Sequence, residues 1–521
     1  MRLLKRIFSR HTMNIVLLLL VVVLFPGEML TAGHLFGDPD LWRHLADARI
    51  LWTTHHFIRV EPYAFTEVGR PWTNPEWLAE IPFWMGYKFF GLMGIFIVTA
   101  LAFCANLLFV YGRAYWRSLH AGAAFWVSGI AFMLMTVNAG SPTIVLAYLL
   151  MSVEMAILEA ADRGWIRPLW LLPLLFCLWV NIHASWLIGM SLLVLYMLCG
   201  FFDLKVGVFE QIGFPKEVRN RLLLALLGCL AALTINPYGL SLLWNPFNVL
   251  LSHGIQPVNV EAWQPLHLNW FAGKGVVLAI LIMVIAACIR SRKRKVYEIV
   301  FVVLAFYAAF DHSRFTFLAA IVAIPMLAVD IEWSFLTQSD AKTIPVINLL
   351  IVVASIFLIS YASPPRGKFD GVLAAAFPMR SIAEIQPSWR TFNEDRLGGM
   401  MDFQQKPTFI DSRFYAFSPL GVLSDYGDIM SLQDSFKLLD AYRIDHALLP
   451  RGAALSYLLE HTAGWSIIDR EGSGDAAYYL FERTARTPAH AETPHMRTGR
   501  ASSPASAPSP AARTSPGGEI K

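Results

Sequence analysis

The sequence predicts a mainly α, polytopic transmembrane helix bundle of about eleven spans, followed by a small extracytoplasmic α/β domain. Three observations predict it. Of 521 residues, 56% are hydrophobic and only 15% are charged, where soluble domains carry roughly 25%; mean hydropathy is +0.50. Apolar runs of roughly 20 residues, the length that crosses a bilayer, recur along the chain. Lys and Arg concentrate in alternate short loops, the pattern of cytoplasmic loops in membrane proteins.

Spans are expected near 12–31, 92–111, 121–138, 142–160, 168–182, 184–202, 220–236, 275–290, 296–311, 314–330 and 344–361. The turn between the fifth and sixth is very short. Residues 1–10 are basic and an apolar stretch follows, but no small-x-small cleavage site does, so this reads as an uncleaved first helix. One set of loops carries eighteen Lys and Arg, among them Arg113, Arg117, Arg163, Lys293, Arg294 and Lys295. The alternate set carries seven: Arg43, Arg49, Arg59, Arg70, Lys88, Lys274 and Arg314. The N-terminus is therefore expected in the cytoplasm, and everything after the eleventh span outside it. In a Gram-negative cell that is the periplasmic side of the inner (plasma) membrane.

The inner loops are short. Two outer ones, 33–91 and 237–274, are long and rich in Trp, Pro, Asn and His, so the working surface is expected outside. Residues 1–364 form the membrane part. Residues 365–484 read as the α/β domain, with strands near 408–411 and 446–449, a helix at 454–460 and a hairpin from 465–469 and 476–481. Residues 485–521, rich in Ala, Pro and Ser, are expected to be disordered. The five cysteines lie in apolar runs without metal-ligand spacing and read as packing residues. A net charge of +4 gives no nucleic-acid signal.

The chemistry gathers in the outer loops. Asp38 and Asp40 stand one residue apart just after the first span. Such a pair can hold a divalent cation, Mg or Mn, through oxygen ligands, or one member can act as a general base. Equally, an Asp-Pro step is a common helix cap. His44 follows in the same loop. Glu76 and Glu80 lie one helical turn apart beside Trp77, on a stretch that reads as an interfacial helix; the structural alternatives are a solvated charge face and simple aromatic anchoring. Asn181 and His183 end an apolar helix, where polar groups are costly, but capping would also explain them. Asn236-Pro237-Tyr238-Gly239 reads as a helix stop. Glu261 sits in the second long loop. Asp311-His312-Ser313-Arg314 closes a tight outer turn in which Arg314 can grip a phosphate and His312 can donate to one; a local Asp311–Arg314 pair is the alternative.

Together these residues resemble the GT-C class of integral membrane glycosyltransferases, which includes protein O-mannosyltransferases, aminoarabinose transferases and the catalytic subunit of oligosaccharyltransferase. The chain is more similar still to a group of largely uncharacterised bacterial membrane proteins. The matches are Asp38, Asp40, Trp42, His44, Glu76, Trp77, Glu80, Asn181, His183, Asn236, Pro237, Gly239 and Arg314, with Thr408–Arg413 resembling a motif of the outer domain. The resemblance implies transfer of a sugar from a polyprenyl-phosphate donor to a glycan, lipid or protein acceptor of the envelope. Asp38 or Asp40 would be the base, and Arg314, His183 or a metal would stabilise the leaving phosphate. No Walker or Rossmann glycine pattern occurs, which argues against nucleotide-dependent chemistry. Two rivals stand beside this reading. A flippase for lipid-linked glycans would place ionisable groups inside the spans, where Glu154 is the main exception to an uncharged interior. A non-catalytic scaffold would leave the Asp pair dispensable.

Overall fold

In the computed structural model the described residues are 35–138, 142–207, 209–251, 264–289, 293–329, 366–417 and 420–484. The expected first and last spans, Glu261 and the tail at 485–521 lie outside them.

Apolar sequence becomes helix at each described span. The helices are α1 (Pro39–Thr54), α2 (Trp77–Phe90), α3 (Leu92–Ser118), α4 (Ala121–Met135), α5 (Pro142–Asp162), α6 (Leu172–Val180), α7 (Trp186–Cys199), then α8 (Lys216–Ala232), α9 (Leu240–Leu251), α10 (Phe271–Ile289) and α11 (Val296–Asp311). By length and composition, Leu92–Ser118 and Thr143–Asp162 can cross a membrane by themselves, and five shorter apolar helical stretches accompany them among the described residues. Many large apolar side chains face outward from the bundle. Leu223, Leu224, Leu227 and Leu230 on α8, and Leu278, Leu281 and Val284 on α10, are exposed. A contiguous apolar exterior is stable against lipid and not against water.

Three elements depart from the sequence reading. The expected span at 314–330 is broken into a 3-10 turn (Ser313–Phe315), one α turn (Thr316–Leu318), a π turn (Ala319–Ala323) and a second 3-10 segment (Ile324–Val329). Pro325 supplies the reason: it has no N–H for the carbonyl of Ile321, four residues earlier. The buried Arg113 guanidinium donates to that carbonyl instead. The second departure is α9, a helix inside the long loop expected at 237–274. The third is 408–411, which is not a strand; Thr408 makes only an isolated bridge to Ala64 of the first outer loop. Glu154, the exception noted within the spans, is buried on α5 with neither carboxylate oxygen hydrogen-bonded.

Residues 366–484 carry a four-stranded sheet in the order β3–β4–β6–β5, with β3 (Thr391–Asn393), β4 (His446–Pro450), β5 (Trp465–Glu471) and β6 (Tyr478–Arg483). β3 pairs with β4 in parallel and the other neighbours are antiparallel. The expected helix at Ala454–Glu460 and the hairpin are present. The short parallel strand β3 has no signal of its own in three residues.

This region is joined to the first outer loop by built contacts. The helix Asp395–Phe403 lies across the start of α1. Trp42 of α1 packs on Phe403 and Phe377 at centroid distances of 5.2 and 6.3 Å. Arg49 donates to the Phe403 carbonyl at 2.8 Å. Phe65 N–H and the Thr66 hydroxyl donate to the carbonyls of Thr408 and Phe409. Beneath them Arg413, buried, bonds to Asp411 and Glu61 and lies 4.5 Å over the Trp72 ring. The approach of the two helices needs a glycine: a Cβ on Gly399 would sit 2.0 Å from the Pro39 carbonyl oxygen.

Gly399→Ala is therefore expected to lower the melting temperature of the detergent-solubilised protein, at a cost of about 1–3 kcal/mol for overpacking. Gly112→Ala, where a Cβ meets nothing within 4 Å, should leave it unchanged or raise it. Tryptophan-fluorescence melting measures both; equal melting for the two variants would contradict the tight approach.

Candidate functional site

α1 begins where Asp38 caps it. Its Oδ1 accepts the Asp40 N–H at 2.9 Å, and Pro39 follows at the first helical position. The spacing of Asp40, Arg43, His44 and Asp47 then places all four on one helical face. The cap separates the aspartate pair. Asp38 is turned to the helix end, while Asp40 projects onward, its side chain 47% exposed. It accepts a hydrogen bond from Ser412, and the Arg43 guanidinium lies 3.7 Å away.

Behind Asp40 the face becomes a buried ion network. Arg43 pairs with Asp47 at 3.0 Å. His44 lies between two carboxylates, Nδ1 2.9 Å from Glu80 and Nε2 3.0 Å from Glu76. A carboxylate at each ring nitrogen favours the doubly protonated, cationic ring. Asn74 donates to both Glu80 oxygens, at 3.0 and 2.9 Å, and accepts the Glu76 N–H at 3.0 Å. Tyr63 donates to Asp47 at 2.7 Å. Glu76 and Glu80 are thus not a solvated charge face: Glu80 is buried and the Glu76 side chain is 17% exposed.

Burial and Arg43 push the His44 imidazole down, but Glu76 and Glu80 outweigh them and hold it up at about 9. Burial likewise opposes ionisation of Glu76, yet His44, His183 and Arg43 hold it at about 2. Burial and the nearby Asp47 raise Glu80 to about 7. Two adjacent carboxylates with ionisations pushed apart mark a site built for charge.

The bundle contributes the other wall. His183 Nδ1 accepts the Ser185 N–H at 3.0 Å, which leaves Nε2 to face Glu76 at 3.4 Å. Thr143, at the start of α5, lies 3.4 Å from Glu76. Arg314 lies within electrostatic reach of Tyr148, Glu76 and Asp40. In the same turn the Asp311 carboxylate lies 2.9 Å from the His312 ring.

Asp40, His44, Glu76, His183 and Arg314 therefore come together. Asp38 contributes through the cap. The Trp77 indole donates to the Asn181 side chain at 2.9 Å, and Asn181 ties Leu78 N–H and the Ile235 carbonyl to one point. They hold α2 against the bundle. The sequence reading missed Arg43, Asp47, Asn74, Tyr148 and Ser412. For Arg43 and Asp47 the signal was present, in their helical spacing from Asp40. Asp38 and Asp40 do not suit a shared Mg or Mn ion, because the cap holds one carboxylate back and Arg43 stands beside the other. Among the described residues no three His, Cys, Asp or Glu side chains are placed to hold a metal.

No protein-family model and no curated protein matches the chain. Solved structures do. The oligosaccharyltransferase of Archaeoglobus fulgidus in its apo form aligns over 85% of this chain and 69% of that one, with 12% identity and a TM-score of 0.53. ArnT from Cupriavidus metallidurans bound to undecaprenyl phosphate aligns over 88% of this chain and 97% of that one, with 14% identity and a TM-score of 0.46. The fold is that of the GT-C class of integral membrane glycosyltransferases.

The His44 network carries a pH dependence with a definite sign. His44 is raised in the folded protein, so its stabilisation is complete below its unfolded value of about 6.5. It is lost as pH rises through about 9. The melting-temperature gap between wild type and His44→Gln is expected to be wide at neutral pH and to close above pH 9. A gap independent of pH would contradict the charged imidazole.

Proposed function

We propose that this protein transfers a sugar from a polyprenyl-phosphate donor to an envelope acceptor on the outer face of the bacterial inner membrane. The observation that supports the reading is a half-exposed carboxylate, Asp40, within electrostatic reach of the Arg314 cation, beside a buried network that fixes the charge around them. Such a pair meets the two demands of the reaction. The acceptor hydroxyl gives its proton to Asp40 as its oxygen bonds to the anomeric carbon. The bond from that carbon to the phosphate oxygen breaks, and Arg314 stabilises the charge gathering on the departing polyprenyl phosphate. Glu76, held ionised, keeps His44 and His183 oriented beneath the reacting atoms.

The layout supports the orientation. Thr143 at one end of α5 touches Glu76, while Glu159 and Asp162 at the other end bind Arg117 and Lys295. That distance is about 28 Å at 1.5 Å per residue, the thickness of a hydrocarbon core. The basic end is assigned to the cytoplasm. About eleven spans, a cytoplasmic N-terminus and a periplasmic 365–484 domain complete the proposal. Arg43 and Arg314 carry the charge work that a divalent ion would otherwise do.

The test is transfer of radiolabelled polyprenyl-phosphate sugars to a membrane acceptor extract by purified protein in nanodiscs. Asp40→Asn is expected to reduce transfer by a factor of about 100 or more. Asp38→Asn should retain it, because Asn caps a helix as well as Asp. Chelation with EDTA should leave the rate unchanged. Donor left intact by folded wild-type protein would overturn the proposal, and equal loss in the two variants would overturn the assignment of Asp40.

A further inference from the structure

At the end of the bundle away from Asp40, a cavity of about 190 Å³ is lined by Arg117, Arg163, Lys293, Arg294, Lys295, Glu298 and Val329. Five cations face one carboxylate there. The cavity is built from four separate pieces of chain: the end of α3, the end of α5, the start of α11 and the last residue of the Pro325 segment. A two-stranded ribbon, β1 (Leu204–Val206) with β2 (Phe209–Gln211), holds one wall in place. Glu210 N–H donates to the Arg294 carbonyl at 2.9 Å, and its carboxylate binds Lys293 at 2.9 Å.

Arg117 binds Glu159 and Glu298, and Lys295 binds Asp162. Arg163 takes carbonyl oxygens instead, those of Glu159 and Trp116, each at 3.3 Å. Its guanidinium lies 5.6 Å over the Trp116 ring, and Trp116 meets Trp165 edge to face at 5.8 Å. Both tryptophans are exposed. Glu159, shared by Arg117, is further claimed by the buried Arg113 at 2.8 Å. Among the described residues named here, six cations, Arg113 included, stand with four carboxylates, Glu159, Asp162, Glu210 and Glu298.

We propose that this cavity is a binding site for the phosphate of an anionic phospholipid in the leaflet opposite the transfer site. Positive-inside bias alone would scatter the charges over the loops; here they converge on one half-open cavity between helix ends. Basic pockets at this depth between transmembrane helices suit anionic headgroups. The exposed indoles lie at the headgroup level, where amphipathic rings settle. The exposed leucines of the helix sides give the acyl chains an apolar surface. A phosphate monoanion would add two or more charge-assisted hydrogen bonds to Arg163, Lys293 and Arg294 without displacing the existing pairs. The site is independent of the sugar-transfer reading and needs only that this end of the bundle reach a headgroup region.

The experiment uses the full-length protein in a zwitterionic detergent. Dioctanoyl phosphatidylglycerol, dioctanoyl phosphatidylcholine and inorganic phosphate are added separately, and bound lipid is counted by native mass spectrometry. Phosphatidylglycerol is expected to bind at one site, and about tenfold more weakly in Arg163→Gln/Lys293→Gln. On wild-type protein it should also shield Lys293 from amine acetylation, a readout that needs no variant. Phosphatidylcholine should do neither. Equal binding of the two lipids, unchanged binding in the double variant, or unshielded Lys293 would overturn the proposal. Shielding by inorganic phosphate as strong as that by phosphatidylglycerol would overturn the lipid as its source.

Discussion

The site end of this molecule depends on holding the His44 imidazole between two carboxylates where water cannot reach it. An isolated buried charge costs many kcal/mol, so the fold must surround it with partners. It does so twice over. Glu76 and Glu80 take the two ring nitrogens, and Arg43, pressed against the same ring, is neutralised by Asp47. Each partner arrives from a different piece of chain. α1 brings Arg43, His44 and Asp47; α2 and its lead-in bring Asn74, Glu76 and Glu80. Removing any one of them leaves the opposite charge stranded, which is the strongly destabilising change for buried pairs. The first outer loop is long because it must fold back on itself to complete this network.

The region after 366 extends the same logic. A loop of this length would otherwise be held at its two ends only. The Arg413–Asp411–Glu61 network and the Thr408 bridge clamp its middle, and the glycine at 399 lets a helix press onto the start of α1. Ser412 thereby reaches Asp40. That hydrogen bond joins the region after 366 directly to the first long loop at the site.

Much of this was legible in the residues. Helices follow from apolar length, and the gathering of His44, Glu76, His183 and Arg314 from their position at helix ends. What could not be read is physical in origin. The roles of Asp38 and Asp40 diverge because one carboxylate turned back to cap its own helix, and both outcomes fit the same three residues. That Trp77 and Asn181 hydrogen-bond each other could not be read from residues 104 apart in sequence. The broken segment at 313–329 depends on Arg113, two hundred residues away in sequence, standing where Pro325 left a carbonyl without a donor. Ser412 could be found only once the chain had closed over the first loop.

The most direct test is to ask where the donor's phosphate end sits. A polyprenyl phosphate carrying a benzophenone in its first isoprene unit would be photolysed with the protein in nanodiscs, and the labelled peptides sequenced. The account predicts label on peptides spanning 36–47, 76–84, 183–190 and 313–318, competed away by unmodified polyprenyl phosphate. Label confined to the helix ends around Arg117, Arg163 and Lys295, or label that unmodified carrier fails to compete, would contradict it.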